Sequence, residues 1–333
     1  MTGGTALITG ATGLLGSHLT DLLLRVGQRP RVFVLPGQSI PWNGVDVHRG
    51  DLRDRTAVAA AVRGVEVVFH CAAVTGVAAP RDSYHQINVV ALGELVDAAQ
   101  KAGVRHVVHV SSITVHGNDI RGWADEGAPF CPAPNPYSRS KVAGERLLSR
   151  LVKEHGAPVT VVRPGWIYGP RDTASFARLA ALVSARRMVT IGRGGNHLPL
   201  VYASDVAQGL ILAAAKPPRG CTYLLVNEEL ITQSDFLAAI ANELGAAQPR
   251  LRVPYKLALC AGTAGDVMAR VSRARAPVTR YGVELLGGEN RYSSARARTD
   301  LGFEPRVGMR EGVQRTVAWL RSSALAQPHP GAS

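Results

Sequence analysis

The amino-acid sequence predicts an α/β protein built on a doubly wound parallel sheet, with a smaller C-terminal α/β lobe. Over the first two-thirds of the chain, short runs rich in β-branched residues alternate with longer stretches of helical periodicity. This alternation is typical of parallel strands joined by crossover helices. Beyond about residue 164 the order becomes irregular, which indicates a second lobe packed over the carboxyl edge of the sheet.

Six strands are predicted in the alternating part of the chain. They cover residues 6–9, 31–35, 45–48, 65–70, 104–111 and 159–163. Leucines recur at helical spacing after the first strand, and Gly27 stands where a C-terminal cap is expected. In the later part, helices are predicted over 174–187, 204–215 and 232–244, whereas 251–277 shows no clean periodicity.

The composition restricts the kinds of partner that the protein can have. The chain has 333 residues, 46% of them hydrophobic, and its 38 basic residues exceed its 25 acidic ones by 13. Such a charge suits an anionic partner: a nucleic acid, an acidic surface or a phosphorylated cofactor. Only five of the cations are lysines, and the arginines are scattered, with no basic run interleaved with aromatic residues. The pattern therefore argues against nucleic-acid binding.

The cysteines and the ends of the chain bear on its compartment. Four cysteines are widely separated and form no C-x-x-C pair: Cys71, Cys131, Cys221 and Cys260. This spacing predicts neither a metal site nor a disulfide framework and fits a reducing compartment. No signal peptide is apparent, and no apolar run reaches the roughly 18 residues of a membrane span. We expect a cytoplasmic protein with no membrane partner.

A glycine-rich segment, LITGATGLLGSHL, joins the first predicted strand to the first predicted helix. Its Gly10, Gly13 and Gly16 are suited to a tight turn through which the backbone approaches a pyrophosphate at the helix N-terminus. The alternative is a turn whose glycines serve only the fold. The place of the segment, in the first β-to-α turn, favours dinucleotide binding.

The segment NPYSRSK sets Tyr137 and Lys141 four positions apart at the start of a predicted helix, the only such pair in the chain. On a helix, positions i and i+4 lie on one face about 5–6 Å apart. A neighbouring ammonium favours the phenolate, and two charges about 4 Å apart at an effective dielectric of 20 interact by about 4 kcal/mol. The spacing therefore predicts that Lys141 lowers the pKa of Tyr137 toward neutrality, where the phenol can exchange protons.

These features occur together with others in a fixed order along nearly the whole chain. The further pieces are GDLRD at 50–54, HCAA at 70–73, NVVALGELVDAA from Asn88, SSITVHG from Ser111, RPGWIYGPRD from Arg163 and VYASDVA from Val201. In this order the chain resembles the extended short-chain dehydrogenase/reductases of the NAD-dependent epimerase/dehydratase family. The segments IGRGGNHLPLVYASDVA and NRYSSARARTDLGFEP resemble the branch that contains 3β-hydroxysteroid dehydrogenases and dihydroflavonol reductases.

The resemblance implies a Rossmann-type fold divided between two functions. Residues 1–170 are expected to form the dinucleotide-binding domain, with some later segments returning to it. Residues 171–326 are expected to form mainly the substrate-binding lobe, and 327–333 a flexible tail.

The resemblance also implies a catalytic triad of Ser112, Tyr137 and Lys141. In the family, the tyrosine transfers the proton, the lysine also bridges the ribose hydroxyls of the cofactor, and the serine holds the substrate oxygen. Ser111 is the competitor of Ser112, because adjacent strand residues face opposite sides and only one can face the cleft. Alignment with the S/T-x-x-V-Y-G pattern of the family favours Ser112.

The same resemblance assigns residues to an NAD or NADP site. They are Gly10, Thr12, Gly13, Leu14, Leu15, Gly16, Asp51, Leu52, Ala72, Ala73, Tyr137, Lys141, Pro164, Gly165 and Ile167. Asp51 stands where the family contacts adenine, although an aspartate there can also cap the next helix. The second strand ends in VFVLPGQ, with neither the acid that would repel a 2′-phosphate nor the arginine that many NADP-using relatives carry there. Of the two cofactors, NADP is slightly preferred. Arg31 and Arg53 can reach such a phosphate or remain surface charges.

The predicted substrate-binding residues are Ser112, His116 and Trp166. Trp166 replaces the asparagine with which nucleotide-sugar enzymes meet their substrate, and Ile113 and Thr114 replace the Asp-Glu pair of sugar dehydratases. These exchanges remove polar groups and add apolar area, which favours a flat or hydrophobic substrate. His116 replaces the usual tyrosine of V-Y-G, so the sequence does not determine the character of that wall of the pocket.

We therefore expect an NAD(P)-dependent oxidoreductase that moves a hydride between nicotinamide and a carbonyl or secondary hydroxyl of a small hydrophobic metabolite. Two alternatives are a nucleotide-sugar epimerase with tightly bound NAD and a dinucleotide-sensing protein without catalysis. Amphipathic helices after Asn88 and after Tyr137 resemble those through which relatives form homodimers.

Overall fold

The computed structural model describes residues 4–76, 79–120, 122–217, 220–272 and 278–326 of the chain. The predicted flexible tail, 327–333, lies outside these residues. None of the helices within them combines the length and the apolar character that crossing a membrane requires.

The strands form one large sheet and several short pairs. In chain order they are β1 (Ala6–Thr9), β2 (Arg31–Val34), β3 (Asp46–Arg49), β4 (Val67–His70), β5 (His106–Val110), β6 (Trp123–Ala124), β7 (Val159–Pro164), β8 (Trp166–Tyr168), β9 (Thr190–Ile191), β10 (Leu200–Tyr202), β11 (Thr222–Leu225), β12 (Arg252–Val253) and β13 (Arg291–Tyr292). Within the described residues, a sheet of seven parallel strands has the order β11-β7-β5-β4-β1-β2-β3. The chain winds outward from β1 in one direction and then, from β4, in the other, so the predicted doubly wound fold is confirmed.

Helices cover both faces of this sheet. They are α1 (Leu14–Arg25), α2 (Arg55–Val62), α3 (Arg81–His85), α4 (Ala91–Lys101), α5 (Pro136–His155), α6 (Phe176–Ser184), α7 (Ala203–Ala215), α8 (Gln233–Leu244), α9 (Tyr255–Ser272), α10 (Arg280–Gly287), α11 (Ala295–Leu301) and α12 (Met309–Ala326). Neighbouring residues of β1 enter different cores: Ile8 packs with α1 and α7, whereas Leu7 packs with α2 and α4. Burial on both faces explains why central strands such as β1 and β4 are mainly apolar.

A π-helical segment, Gln86–Val90, joins α3 to α4 in one continuous helical stretch. Asn88 lies in this segment. Its side-chain amide donates to the Val74 carbonyl (2.9 Å), and its Oδ1 accepts from the Val74 N–H (2.8 Å). The same amide also donates to Ser140 Oγ at 2.9 Å. The π turn thereby ties the segment that follows β4 to helix α5.

The C-terminal lobe has its own core, in which α6, α8 and α12 pack around the β8–β10 pair. Tyr168, Phe176 and Phe236 form an aromatic cluster at its centre, with ring centroids 5.6–6.1 Å apart. Two later elements return to the first layer: β11 extends the large sheet beside β7, and α7 packs on α1. The division near residue 170 stays a prediction.

The segment 251–277, which shows no clean periodicity, contains the 18-residue helix α9. This helix packs against α10, while its Leu257 is 61% exposed to solvent. An apolar residue on a solvent-facing side removes the contrast between faces on which a periodicity argument depends.

Candidate active site

The carboxyl ends of the parallel strands meet at one edge of the sheet, and the predicted site residues lie there. Thr9, His70 and His109, near the ends of β1, β4 and β5, are paired in register. The glycine-rich turn leaves the end of β1, and Ser111 and Ser112 leave the end of β5. Ligands of open α/β sheets bind at this edge.

The glycine-rich turn is shaped by two close backbone approaches. Gly10 has φ +69°, and a Cβ there would lie 2.7 Å from the backbone of Ala72. A Cβ on Gly16 would lie 2.2 Å from the Gly10 carbonyl oxygen. Both positions therefore require glycine for the fold itself.

Gly13 differs from the other two glycines, because it has φ −76° and is exposed. A Cβ there would meet its nearest neighbour, the Gly10 oxygen, only at 3.3 Å. Helix α1 starts at the next residue, without a side-chain cap and without an acidic residue in its first turn. An uncapped helix N-terminus beside open space suits a pyrophosphate, so the residues present fit a dinucleotide.

The other predicted cofactor residues follow neighbouring strands of the same edge. Leu52 and Leu15 are buried in the core, so only their backbone can face a ligand. Ala72 donates its N–H to Thr9 Oγ1 at 3.3 Å. The residues beside β7 and β8 are Pro164, Gly165 and Ile167.

Asp51 does not cap the next helix, so that alternative is wrong. Asp54 caps α2, accepting from the N–H groups of Thr56 and Ala57. Asp51 instead accepts from the backbone and the guanidinium of Arg53, which lowers the pKa of its carboxyl. Asp51 and Arg53 form a partly exposed ion pair just beyond β3.

Helix α5 presents Tyr137 and Lys141 to the end of β5. The helix starts sharply because Pro136 occupies its first turn and Asn135 Oδ1 accepts from the Ser138 N–H at 2.8 Å. Both side chains are buried: Tyr137 interacts with Ser112, and Lys141 Nζ donates to the Val110 carbonyl oxygen at 2.8 Å. The structure thus brings the three predicted catalytic residues together.

The two serines after β5 have separate partners. Ser111 Oγ donates to Glu145 Oε1 at 2.5 Å in the interior. Ser112 Oγ accepts from the Thr114 N–H at 3.2 Å and faces Tyr137. Ser111 is therefore committed to a buried carboxylate, and Ser112 is the serine beside the phenol.

The expected lowering of the Tyr137 pKa by Lys141 is wrong for this structure. Burial raises the pKa of the phenol, and the interaction with Ser112 opposes that rise. Burial also lowers the pKa of Lys141 to about 8, against a raising effect of Glu145. Helical spacing predicted the shared face correctly, but the ammonium is bound to Val110 and desolvation dominates at the phenol.

His116 and Trp166, the other two predicted substrate-binding residues, both pack against other side chains. His116 is buried, its Nδ1 is 3.2 Å from the Pro129 oxygen, and its Nε2 is 3.0 Å from Arg163 Nη1. Neither nitrogen is left for a substrate. Trp166 packs edge-on against Phe236 at 6.0 Å and is partly exposed, which leaves part of its indole available.

One residue beside the phenol was missed by the sequence analysis. Tyr281, on α10, contacts the ring of Tyr137 edge-on, with centroids 6.3 Å apart. It reaches the site from the C-terminal lobe, more than a hundred positions along the chain. No local motif marks it, so only the tertiary structure reveals this contact.

A family model described as the NAD-dependent epimerase/dehydratase family matches residues 6–226. The chain belongs to this family. The match spans the glycine-rich turn, both serines, the Tyr-Lys pair and β11, so the resemblance noted in the sequence is confirmed.

Two curated relatives are similar over almost the entire chain. The 4-hydroxy-2-methyl-3-oxo-4-farnesyl-3,4-dihydroquinoline-1-oxide ketoreductase of Stigmatella aurantiaca is 29% identical over 97% of this chain and 98% of its own length. The 3 beta-hydroxysteroid dehydrogenase/Delta 5-->4-isomerase of Mycobacterium tuberculosis is 30% identical over 91% of this chain and 86% of its own length. The chain is accordingly an NAD(P)-dependent oxidoreductase of the extended short-chain type, and the non-catalytic alternative is set aside.

Among solved structures, MoeE5 in complex with UDP-glucose and NAD superposes with a TM-score of 0.78 at 25% identity. The similarity covers 96% of this chain and all of MoeE5. It supports the Rossmann-type fold and a nicotinamide dinucleotide as the family's cofactor.

Proposed function

We propose that the protein reduces a ketone of a hydrophobic metabolite, with Tyr137 as the proton donor. The observation that carries this proposal is a buried phenol placed beside the Ser112 hydroxyl at the carboxyl end of β5, where burial raises its pKa. Ketone reduction requires a proton donor, and a phenol whose pKa is raised holds its proton at neutral pH until negative charge develops nearby.

The residues would divide the work as follows. The bound dinucleotide supplies the hydride. Ser112 Oγ hydrogen-bonds the substrate oxygen and holds it beside the phenol. Tyr137 gives its proton to that oxygen as the carbonyl becomes an alcohol. Lys141, which is held at the Val110 carbonyl oxygen, provides positive charge beside the cofactor's ribose and the phenolate that remains.

The substrate class is supported by an aromatic neighbour of the phenol and by one exchange in the sequence. Tyr281 packs against Tyr137, and the partly exposed Trp166 takes the place of an amide. Relatives whose names specify a farnesylated quinoline oxide and a hydroxysteroid fit a pocket of this character. A sugar nucleotide would require hydrogen-bonding groups in place of the indole.

For the cofactor we propose NADP, with Arg53 as the residue nearest to its 2′-phosphate. Arg31 is not available, because its guanidinium binds Asp46 and the carbonyl oxygens of Ala61 and Arg63. Arg53 lies beyond β3 and binds Asp51, but 64% of its side chain is exposed, so its guanidinium can exchange this surface partner for a phosphate. No acidic residue follows β2 up to Gln38 to repel a phosphate.

The experiment is a turnover assay with NADPH or NADH on a 3-ketosteroid, a 2-alkyl-3-oxoalkanoate and, as the counter-substrate, UDP-glucose. Oxidation of NADPH by one of the ketones is expected. Conversion of UDP-glucose to its C4 epimer without added dinucleotide would overturn the proposal in favour of the epimerase alternative. A homodimer through α4 and α5 and a cytoplasmic location stay predictions, the first testable by sedimentation.

A further inference from the structure

A buried charge cluster lies behind the catalytic pair. Glu145, one helical turn after Lys141 on α5, is 5% exposed. Arg163 of β7 binds it with two guanidinium nitrogens, Nε at 2.9 Å and Nη2 at 2.5 Å. Ser111 donates to the same carboxylate at 2.5 Å. One cation and one hydroxyl therefore bind this carboxylate in the interior, and a second cation, Lys141, lies one turn away on the same helix.

The cluster is fixed on its far side as well. Arg163 Nη1 donates to the Glu126 carbonyl oxygen at 3.0 Å and lies 3.0 Å from His116 Nε2. The guanidinium also lies over the Phe130 ring, 5.3 Å from its centroid. Arg163 can therefore not move away from Glu145 without losing contacts to three other residues. Such preorganisation is typical of a group that orients another.

We propose that Glu145 is a positioning residue: fixed by Arg163 and Ser111, its carboxylate keeps Lys141 in the charged form that the dinucleotide site requires. This inference rests on the proposed function of the triad and adds a residue that acts through Lys141. The three side chains Tyr137, Lys141 and Glu145 follow each other at four-residue spacing on α5.

The surroundings of Lys141 make such a counter-charge necessary. The groups that face it are His70 and Cys71 after β4, His109 of β5, and Glu145 on its own helix. Burial keeps both imidazoles and the thiol neutral near pH 8, since it lowers the pKa of His70 to about 3 and raises that of Cys71 to about 12. Glu145 is accordingly the anion among these groups, and it raises the pKa of Lys141 against burial.

The test is the pH dependence of dinucleotide binding, measured by fluorescence titration with NADPH and with NADH between about pH 7 and 10. Wild-type affinity is expected to fall above the pKa of Lys141, about 8. Glu145→Gln leaves the buried cations Arg163 and Lys141 without their shared anion, which favours neutral Lys141. The fall in affinity is therefore expected to shift to lower pH by about 1–2 units. Arg163→Met removes the other cation that pairs with Glu145, so Lys141 becomes its sole cationic partner in the cluster. The fall in affinity is then expected at higher pH.

Opposite shifts separate a charge effect from a structural one, because damage to the fold would weaken both variants without moving the fall in opposite directions. Ser111→Ala, which removes one partner of Glu145 without changing the charge, is the matched control and is expected to keep the wild-type position. In the double variant Glu145→Gln/Arg163→Met the two shifts should largely cancel. Should either single variant fail to fold, the other single variant and the double variant carry the test.

Shifts in the same direction, no shift in Glu145→Gln, or a double variant displaced by more than about one pH unit would overturn the inference. Wild-type protein that binds neither dinucleotide would overturn the proposed function as well. The two failures are therefore distinguishable.

Discussion

The substitution Tyr137→Phe removes the phenolic oxygen and keeps the ring. A positioned general acid contributes about 10²–10⁴-fold to turnover. This corresponds to about 2.7–5.4 kcal/mol of transition-state stabilisation at about 1.36 kcal/mol per factor of ten. The cost to folding is smaller: the hydroxyl interacts with Ser112, which is worth about 0.5–1.5 kcal/mol, and Ser112 keeps its bond from the Thr114 N–H. The ring contact with Tyr281 is preserved.

The assay follows NADPH oxidation with the ketone that the wild-type protein reduces, together with dinucleotide affinity and thermal unfolding. Tyr168→Phe is the matched control, since it also removes a buried phenolic oxygen, one that donates to the Met309 carbonyl at 3.3 Å in the other core. We expect a similar small loss of stability in both variants and a large loss of kcat in Tyr137→Phe alone. A Tyr137→Phe protein that retains more than about a tenth of wild-type kcat would refute the assigned role.

Four further outcomes follow from the geometry. Gly16→Ala is expected to unfold at markedly lower temperature, because its Cβ would lie 2.2 Å from a backbone oxygen. Gly13→Ala, whose Cβ would lie 3.3 Å from the same oxygen, should lose much less stability but at least about tenfold in dinucleotide affinity. Arg53→Ala should raise the KM for NADPH about tenfold and leave that for NADH unchanged; equal effects would contradict a phosphate contact. Tyr281→Ala should raise the substrate KM more than it lowers kcat, while Tyr281→Phe stays close to wild type; unchanged kinetics in both would remove this residue from the pocket. Burial lowers the pKa of His70 to about 3, so the unfolded chain binds more protons below about pH 6.5 and stability should fall from there to pH 3. His70 alone contributes up to about 1.4 kcal/mol per pH unit to this fall, which chemical denaturation of the wild-type protein and of a His70→Gln variant measures.

The strands and the position of the site could be predicted from the sequence because both depend on local patterns. The strand predicted at 6–9 coincides with β1, and that at 159–163 ends one residue short of β7. Fully buried parallel strands are short apolar runs, and their carboxyl ends must share an edge. The four-residue spacing of Tyr137 and Lys141 likewise predicted their common helix face.

What the sequence could not supply depends on burial and on distant contacts. The direction of the Tyr137 pKa follows from desolvation, which spacing does not show. Tyr281 reaches the site from another lobe, and β11 joins the sheet after sixty residues of other structure. Glu145 is visible in the sequence as a charged residue one turn beyond Lys141, and Arg163 as a cation inside a largely apolar strand. That the two form an ion pair is seen only in the folded structure.

The π turn at Gln86–Val90 constrains how many residues this part of the chain can contain. A π turn holds one residue more than an α turn, so deleting a single residue there would restore regular winding and rotate the preceding side chains by about 100° around the helix. Asn88 and the residues upstream of it could then no longer keep their present partners together. Besides the identity of Asn88, the number of residues in this stretch is therefore constrained, and deletion of any single residue from it should disrupt the site.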